Sequence, residues 1–177
     1  MRKIIQFSVL LLIANLVVTA VSAQLPKALA FSNVMYASPT SYPFNVISKY
    51  GVGYELGAGI GFGKTMLIGS VGRMTYDIDE RSFGSGSGLI FDQTYHGKLN
   101  ITPLKLGVRR YLLLGLFVNG NLGIAMRENS ANYFLYEAGA GYKLGFFEVG
   151  AAYTGYSHSK NTPMNSFLFK AGLAIKI

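Results

Sequence analysis

From Gly51 to Phe62 every even position is apolar (Val52, Tyr54, Leu56, Ala58, Ile60, Phe62), and every odd position is glycine except Glu55. A helix would spread both sets around its circumference, whereas a strand sorts them onto opposite faces. The same period of two returns near the end of the chain. Phe167, Phe169, Ala171, Leu173, Ile175 and Ile177 share one face, and Leu168, Lys170, Gly172, Ala174 and Lys176 share the other. Phe134, Tyr136, Ala138, Ala140 and Tyr142 alternate with Glu137, Gly139, Gly141 and Lys143, and Phe147, Val149, Ala151 and Tyr153 with Glu148, Gly150, Ala152 and Thr154. Weaker alternation runs through 66–78, 101–110 and 115–127. These segments predict a meander of seven long strands.

The connections alternate too. Gly63-Lys64-Thr65, Tyr111 to Leu114 and Gly145-Phe146 are tight, and glycine first in a two-residue loop suits a type II′ hairpin. Between them, 39–50, 79–96 and 157–164 are longer and polar or rich in Gly and Ser, with 128–131 the short exception. Short turns at one end and long loops at the other are the asymmetry of an outer-membrane barrel, whose strand number is even. The eighth strand has room only at 28–38, where Leu29, Phe31, Met35 and Ala37 alternate poorly. The expected fold is all-β: an eight-stranded antiparallel transmembrane up-and-down barrel.

A soluble barrel of equal strand number would show the same period with its faces reversed, and composition separates the two. Half of the 177 residues are hydrophobic and 14% are charged, against about 25% charged in soluble domains. Mean hydropathy is +0.32, which excludes intrinsic disorder. Beyond the first two dozen residues no apolar run reaches the 18 or so that a membrane helix needs. The sparse polar face, four acids (Glu55, Asp77, Glu137, Glu148) and seven bases (Arg73, Lys105, Arg109, Arg127, Lys143, Lys170, Lys176) among small residues, suits a narrow lumen. Phe62, Tyr111, Tyr142, Phe146 and Phe147 cluster by the tight turns, and Tyr76, Tyr133, Phe134, Tyr153 and Phe167 by the other ends, as two interface girdles. A turn centred on Lys64 sets Glu55 opposite Arg73, and one at Gly145-Phe146 sets Lys143 opposite Glu148. These two pairs are the expected lumen-closing ion pairs. Two features run against the pattern: Asn119-Gly120 is a hairpin signal in mid-strand, and Pro103 calls for a bulge.

At the N-terminus Arg2 and Lys3 precede the apolar stretch Ile4 to Val21, which ends in Val21-Ser22-Ala23 before Gln24. This predicts a signal peptide over 1–23, cleaved after Ala23, and an exported barrel over 24–177. The absence of cysteine excludes a disulfide framework and a lipoprotein signal.

The terminal pattern Lys170-x-Gly172-x-x-Ile175-x-Ile177 resembles the assembly signal of outer-membrane barrels, with Ile177 where a terminal Phe is usual. Thr102-Pro103-Leu104-Lys105-Leu106-Gly107-Val108-Arg109-Arg110-Tyr111 and Glu137-Ala138-Gly139-Ala140-Gly141-Tyr142 resemble the small outer-membrane β-barrel domain family of Bacteroidota, in the OmpA/OmpX size class. The resemblance implies location in a Gram-negative outer membrane, with lipid, lipopolysaccharide and the barrel-assembly machinery as partners. It implies no single activity.

The sharpest enzymatic comparison is a lipid A deacylase of the PagL type, with His158, Ser159 and the Pro163-containing segment in a similar place. Here, however, the hydroxyl residue follows His158 directly and so falls on the opposite strand face, and no acid occurs after Glu148 to orient the imidazole. Asp77, Asp79, Glu80 and Asp92 read as a solvated acidic loop, and His96 and His158 lie in separate loops. No catalytic, cofactor or metal residue is assigned, and nucleic acid is no partner for an exported barrel. The expected role is non-enzymatic, a structural or surface-interaction barrel acting through its long loops. A lipid A-modifying enzyme and a narrow pore or small-ligand channel are the competing classes.

Overall fold

Eight strands alternate in direction and close on themselves: β1 (Lys27–Pro39), β2 (Gly51–Phe62), β3 (Thr65–Asp77), β4 (Lys98–Tyr111), β5 (Leu116–Arg127), β6 (Tyr133–Leu144), β7 (Phe147–His158) and β8 (Asn161–Lys176), with β8 pairing back onto β1. A single turn of helix, α1 (Phe44–Ile47), interrupts the first long connection. The computed structural model describes residues 26–42, 44–78, 97–127, 132–158 and 161–177. The expected signal segment 1–23, Asp79, Glu80, Asp92, His96 and Ser159 lie outside the described residues.

Closure fixes the geometry. Paired positions lead once around the wall from Leu29 through Gly59, Ile68, Gly107, Asn121, Glu137, Thr154 and Ser166 to Pro39, ten residues further along β1. A stagger of ten over eight strands tilts them by about 40°. A twelve-residue strand then rises roughly 30 Å, enough to cross an apolar layer of about 25 Å. The outward positions expose Val52, Leu56, Ile60, Leu67, Leu106, Leu122, Phe147, Phe169 and Ile175, each at least 48% accessible. An unbroken apolar belt of that extent has no place in water. The fold is a transmembrane β-barrel.

The strand expected at 28–38 forms. Its alternation is poor because β1 turns Leu29, Phe31 and Met35 inward while its outer positions include Ala30 and Ser32. Asn119-Gly120 makes no turn and pairs in mid-strand with Arg109 and Val108. Pro103 needs no bulge: β3–β4 pairing lapses beside it, but Val71↔Leu104 and Met74↔Ile101 keep one register. The irregularity lies instead between Tyr156 and His158 of β7. The long loop expected at 157–164 is also corrected, because β7 extends to His158, β8 begins at Asn161, and those two residues pair.

Three of the ten expected girdle aromatics point inward: Tyr76 at 0%, Tyr133 at 6% and Tyr111 at 9% accessibility. They belong to two apolar stoppers inside the barrel. At the long-loop end, Phe44 and Ile47 of α1 pack with Met35, Met74, Tyr76 and Leu99, the Phe44 and Tyr76 rings meeting edge to face at 4.9 Å. At the short-turn end, Leu29, Phe31, Met66, Ile68, Tyr111 and Phe117 form a second cluster.

Tight seams leave no room for side chains at chosen glycines. A Cβ on Gly172 would run into the Ser32 carbonyl and the Asn33 side chain across the β1–β8 seam, whereas one on Gly120 meets nothing within 4 Å. Gly172→Val is therefore expected to abolish the fast-migrating folded band of unheated protein on a denaturing gel. Gly120→Ala should keep that band and shift stability by less than about 0.5 kcal/mol.

Candidate functional site: the charged layer of the lumen

Between the two stoppers the lumen is polar. Four strands, alternate around the wall, each turn one charged residue inward at the same level: Glu55 on β2, Lys105 on β4, Glu137 on β6 and Lys170 on β8. The signs alternate around the ring. Lys105 Nζ lies 3.1 Å from Glu55 Oε1 and 2.9 Å from Glu137 Oε2, and Lys170 Nζ lies 3.0 Å from Glu55 Oε2 and 2.8 Å from Glu137 Oε1. Each carboxylate thus gives one oxygen to each lysine, and Asn121 Nδ2 donates a further bond to Glu137 Oε1 at 2.8 Å. Buried charges are tolerable only with this degree of pairing, since an unpaired carboxylate in such a site carries a large desolvation cost. The glycines opposite make the space: β2 lines the lumen with Gly53, Gly57, Gly59 and Gly61 around its single glutamate.

A second cluster lies one step nearer the short turns. Arg109 Nη1 is 2.9 Å from Glu148 Oε2, and Asn33 Nδ2 donates to Glu148 Oε1 at 3.2 Å. The Arg109 guanidinium also sits 4.8 Å from the Phe31 ring centroid and 4.3 Å from that of Phe117, a cation–π contact that joins the charged layer to the lower stopper. A cavity of about 20 Å³ separates the clusters, lined by Asn33, Glu55, Arg109, Asn121, Glu148 and Lys170 among others. That volume suits little more than one water, and the buried Asn33 Oδ1 and Arg109 Nε, which have no partner among the described residues, are an acceptor and a donor that a water would satisfy.

Neither expected ion pair forms. Glu55 stands opposite Gly72, while Arg73 stands opposite Tyr54 and is exposed on the outer wall. The physical reason is the turn. Phe62 pairs with Thr65, so Gly63-Lys64 is a two-residue loop with Gly63 at φ 59°, and one residue of slip moves a side chain to the other face. Asp77, placed with the lumen set from the sequence, is outward for the same reason. Lys143 and Glu148 do face each other in register. However, Glu148 is held by Arg109 and Asn33, and the Lys143 ammonium donates to the Gly145 carbonyl. The true partners sit across the lumen on non-adjacent strands, which hairpin register cannot reveal. Of the terminal pattern, Lys170 and Gly172 face inward and Ile175 and Ile177 outward. His158 closes β7. Among the described residues no group of three or more His, Cys, Asp or Glu could hold a metal ion.

Fold and lumen together define the class: an eight-stranded transmembrane barrel plugged by its own side chains. No protein-family model matches the chain, and no curated protein does. Among solved structures, the attachment invasion locus protein Ail of Yersinia pestis, in complex with the heparin analogue sucrose octasulfate, aligns over 85% of this chain and 98% of its own. The TM-score is 0.54 and the identity 15%. The same outer-membrane protein in a phospholipid bilayer nanodisc gives 0.54 at 16% identity, over 84% of this chain and 99% of that one. These likenesses are of fold.

Lys105→Met should cost about 3–5 kcal/mol, because it strands two carboxylates on one lysine. The double variant Lys105→Met/Glu137→Leu, which restores neutrality, should recover more than half of that loss. Arg73→Leu, on the outer wall, should change stability by less than about 1 kcal/mol. Urea unfolding in lipid vesicles measures all three.

Proposed function

We propose that the chain is a non-enzymatic outer-membrane barrel that presents its long loops, chiefly 79–96, to a partner at the cell surface, with a lumen closed to solutes. The ring of Glu55, Lys105, Glu137 and Lys170 carries this reading. Four charges locked on one another, with about 20 Å³ of free space beside them, support a lumen closed to solutes and direct the reading to the outer surface. The likeness in fold to Ail, an attachment protein by name, supports the same direction. The apolar stretch before Gln24 serves export and is cleaved after Ala23. Lys170, Gly172, Ile175 and Ile177 are read by the barrel-assembly machinery, and the outer wall lies in lipid and lipopolysaccharide.

In planar bilayers the purified barrel is expected to give no conductance steps above leak, and lipid A mass spectra should be identical with and without it. Steps would support the channel class, and a lost acyl chain the deacylase. Deleting 82–92 should leave the folded gel band intact and abolish binding of the barrel-bearing cells to whatever surface the intact protein contacts. Retained binding would move the contact elsewhere.

A further inference from the structure

Charge is distributed along the barrel axis in a way that the lumen network does not explain. Residues 24–177 carry six more bases than acids. The charged layer is balanced, with three of each sign paired internally. By sequence position the long-loop end is nearly balanced as well, with six bases and five acids. The remaining five bases, Lys27, Lys64, Arg110, Lys143 and Lys176, all lie at the short-turn end, and no acidic side chain lies there with them.

Three of these turn toward the lumen rather than toward lipid. Lys176 is on an inward position of β8, opposite the inward Leu29, with Lys27 two residues below Leu29 on β1. Lys143 is on an inward position of β6. All three stand at the short-turn ends of their strands, Lys27 first in β1, Lys143 next to last in β6 and Lys176 last in β8. Among the described residues none of the three has a carboxylate partner. Lys143 makes one bond, to the Gly145 carbonyl, and Lys176 Nζ stands 4.2 Å from the centroid of the Tyr111 ring. Beside it the Tyr111 hydroxyl is buried and has no hydrogen-bond partner among the described residues. An ammonium offers three donors, so the three lysines present more donors than the Gly145 carbonyl and the Tyr111 ring take up. Like charges gathered at a half-enclosed mouth repel one another, and an anion entering from outside the barrel relieves that repulsion.

We propose that the short-turn mouth of the lumen is a binding site for a multiply charged phosphate, held by Lys27, Lys143 and Lys176 with the Tyr111 hydroxyl as a neutral donor. The site depends only on the barrel geometry. Together with the proposed outer-membrane orientation, it faces the periplasm. Lys64 in its turn and Arg110 on the outer wall belong to the lipid boundary instead, where headgroup phosphates are the counter-charge. The two sources of phosphate are therefore separable.

The test is a backbone-amide NMR titration of the full barrel, folded in zwitterionic micelles, with inorganic pyrophosphate as the probe. A parallel series uses phosphatidylcholine nanodiscs with and without phosphatidylglycerol. The expected result is a saturating shift confined to residues around Leu29, Tyr111, Lys143 and Lys176. Its Kd should weaken at least tenfold in Lys27→Gln/Lys143→Gln/Lys176→Gln, several-fold in Tyr111→Phe, and with added salt. The corresponding triple Lys→Arg variant should keep binding, which separates loss of charge from loss of fold. Absence of a saturating shift up to about 10 mM pyrophosphate, well beyond the range of a specific site, overturns the proposal. So does an unchanged Kd in the triple Gln variant. A response only to phosphatidylglycerol, at Lys64 and Arg110, also overturns it and assigns the excess charge to lipid anchoring.

Discussion

A backbone inside lipid has no water to bond, so every N–H and C=O must find a partner within the protein. Sheet closure is the one way for strands to meet that demand, and the other features of this molecule follow from how the sheet closes. The ten-residue stagger sets tilt, strand length and the height of each inward residue. It is the stagger that brings single charges from β2, β4, β6 and β8 to one level, although they are separated in sequence by up to 115 positions. A different register on any one strand would lift a glutamate away from its lysines and leave it buried and unpaired.

The lumen then solves two problems with different materials. Its ends are closed by apolar packing, with α1 folded into the upper stopper and Arg109 held against Phe31 and Phe117 in the lower. Its middle is closed by charge. Apolar closure alone would be the simpler design, and replacing buried ion networks with hydrophobic residues is often neutral or stabilising. A network in which each carboxylate oxygen has its own donor adds a requirement that apolar packing lacks, because it is satisfied in one register only. A sheet whose register is set by small, weakly specifying glycine-rich strands such as β2 is the kind that benefits.

Legibility from the sequence followed the same physics. Strands β2, β6, β7 and β8 could be read because small, polar and charged residues make up most of their lumen faces, so the period of two is clean. β3 could be read as a strand but not in its facing, because Met66, Ile68, Met74 and Tyr76 face inward while Leu67 and Val71 face outward. With both faces apolar, nothing but the turn assigns the register, and one residue of misplacement at Gly63-Lys64 sent Arg73 and Asp77 to the wrong side. The aromatic girdles failed at Tyr76, Tyr111 and Tyr133 for a related reason, since sequence places a ring near a strand end without saying on which face. The members of the charge ring were visible as inward residues. Their partnership was not, because it crosses the lumen and depends on a stagger that only closure reveals.

The basic residues of the lumen's middle and short-turn mouth fall into two groups by their height along the barrel axis. Lys105, Arg109 and Lys170 are enclosed by walls of low polarizability and are matched one for one by carboxylates, as buried charges must be. Lys27, Lys143 and Lys176 belong to the same inward face, and in two cases to the same strands, as Glu137 and Lys170, yet no carboxylate among the described residues pairs with them. If solubility or lipid anchoring were the only demand on them, outward positions beside Lys64 and Arg110 would meet it without crowding three ammonium groups at one mouth. Their inward placement, over a buried hydroxyl that finds no partner among the described residues, is intelligible as the unfilled half of an interaction. The balanced ring above them completes its own pairing and so makes that incompleteness visible.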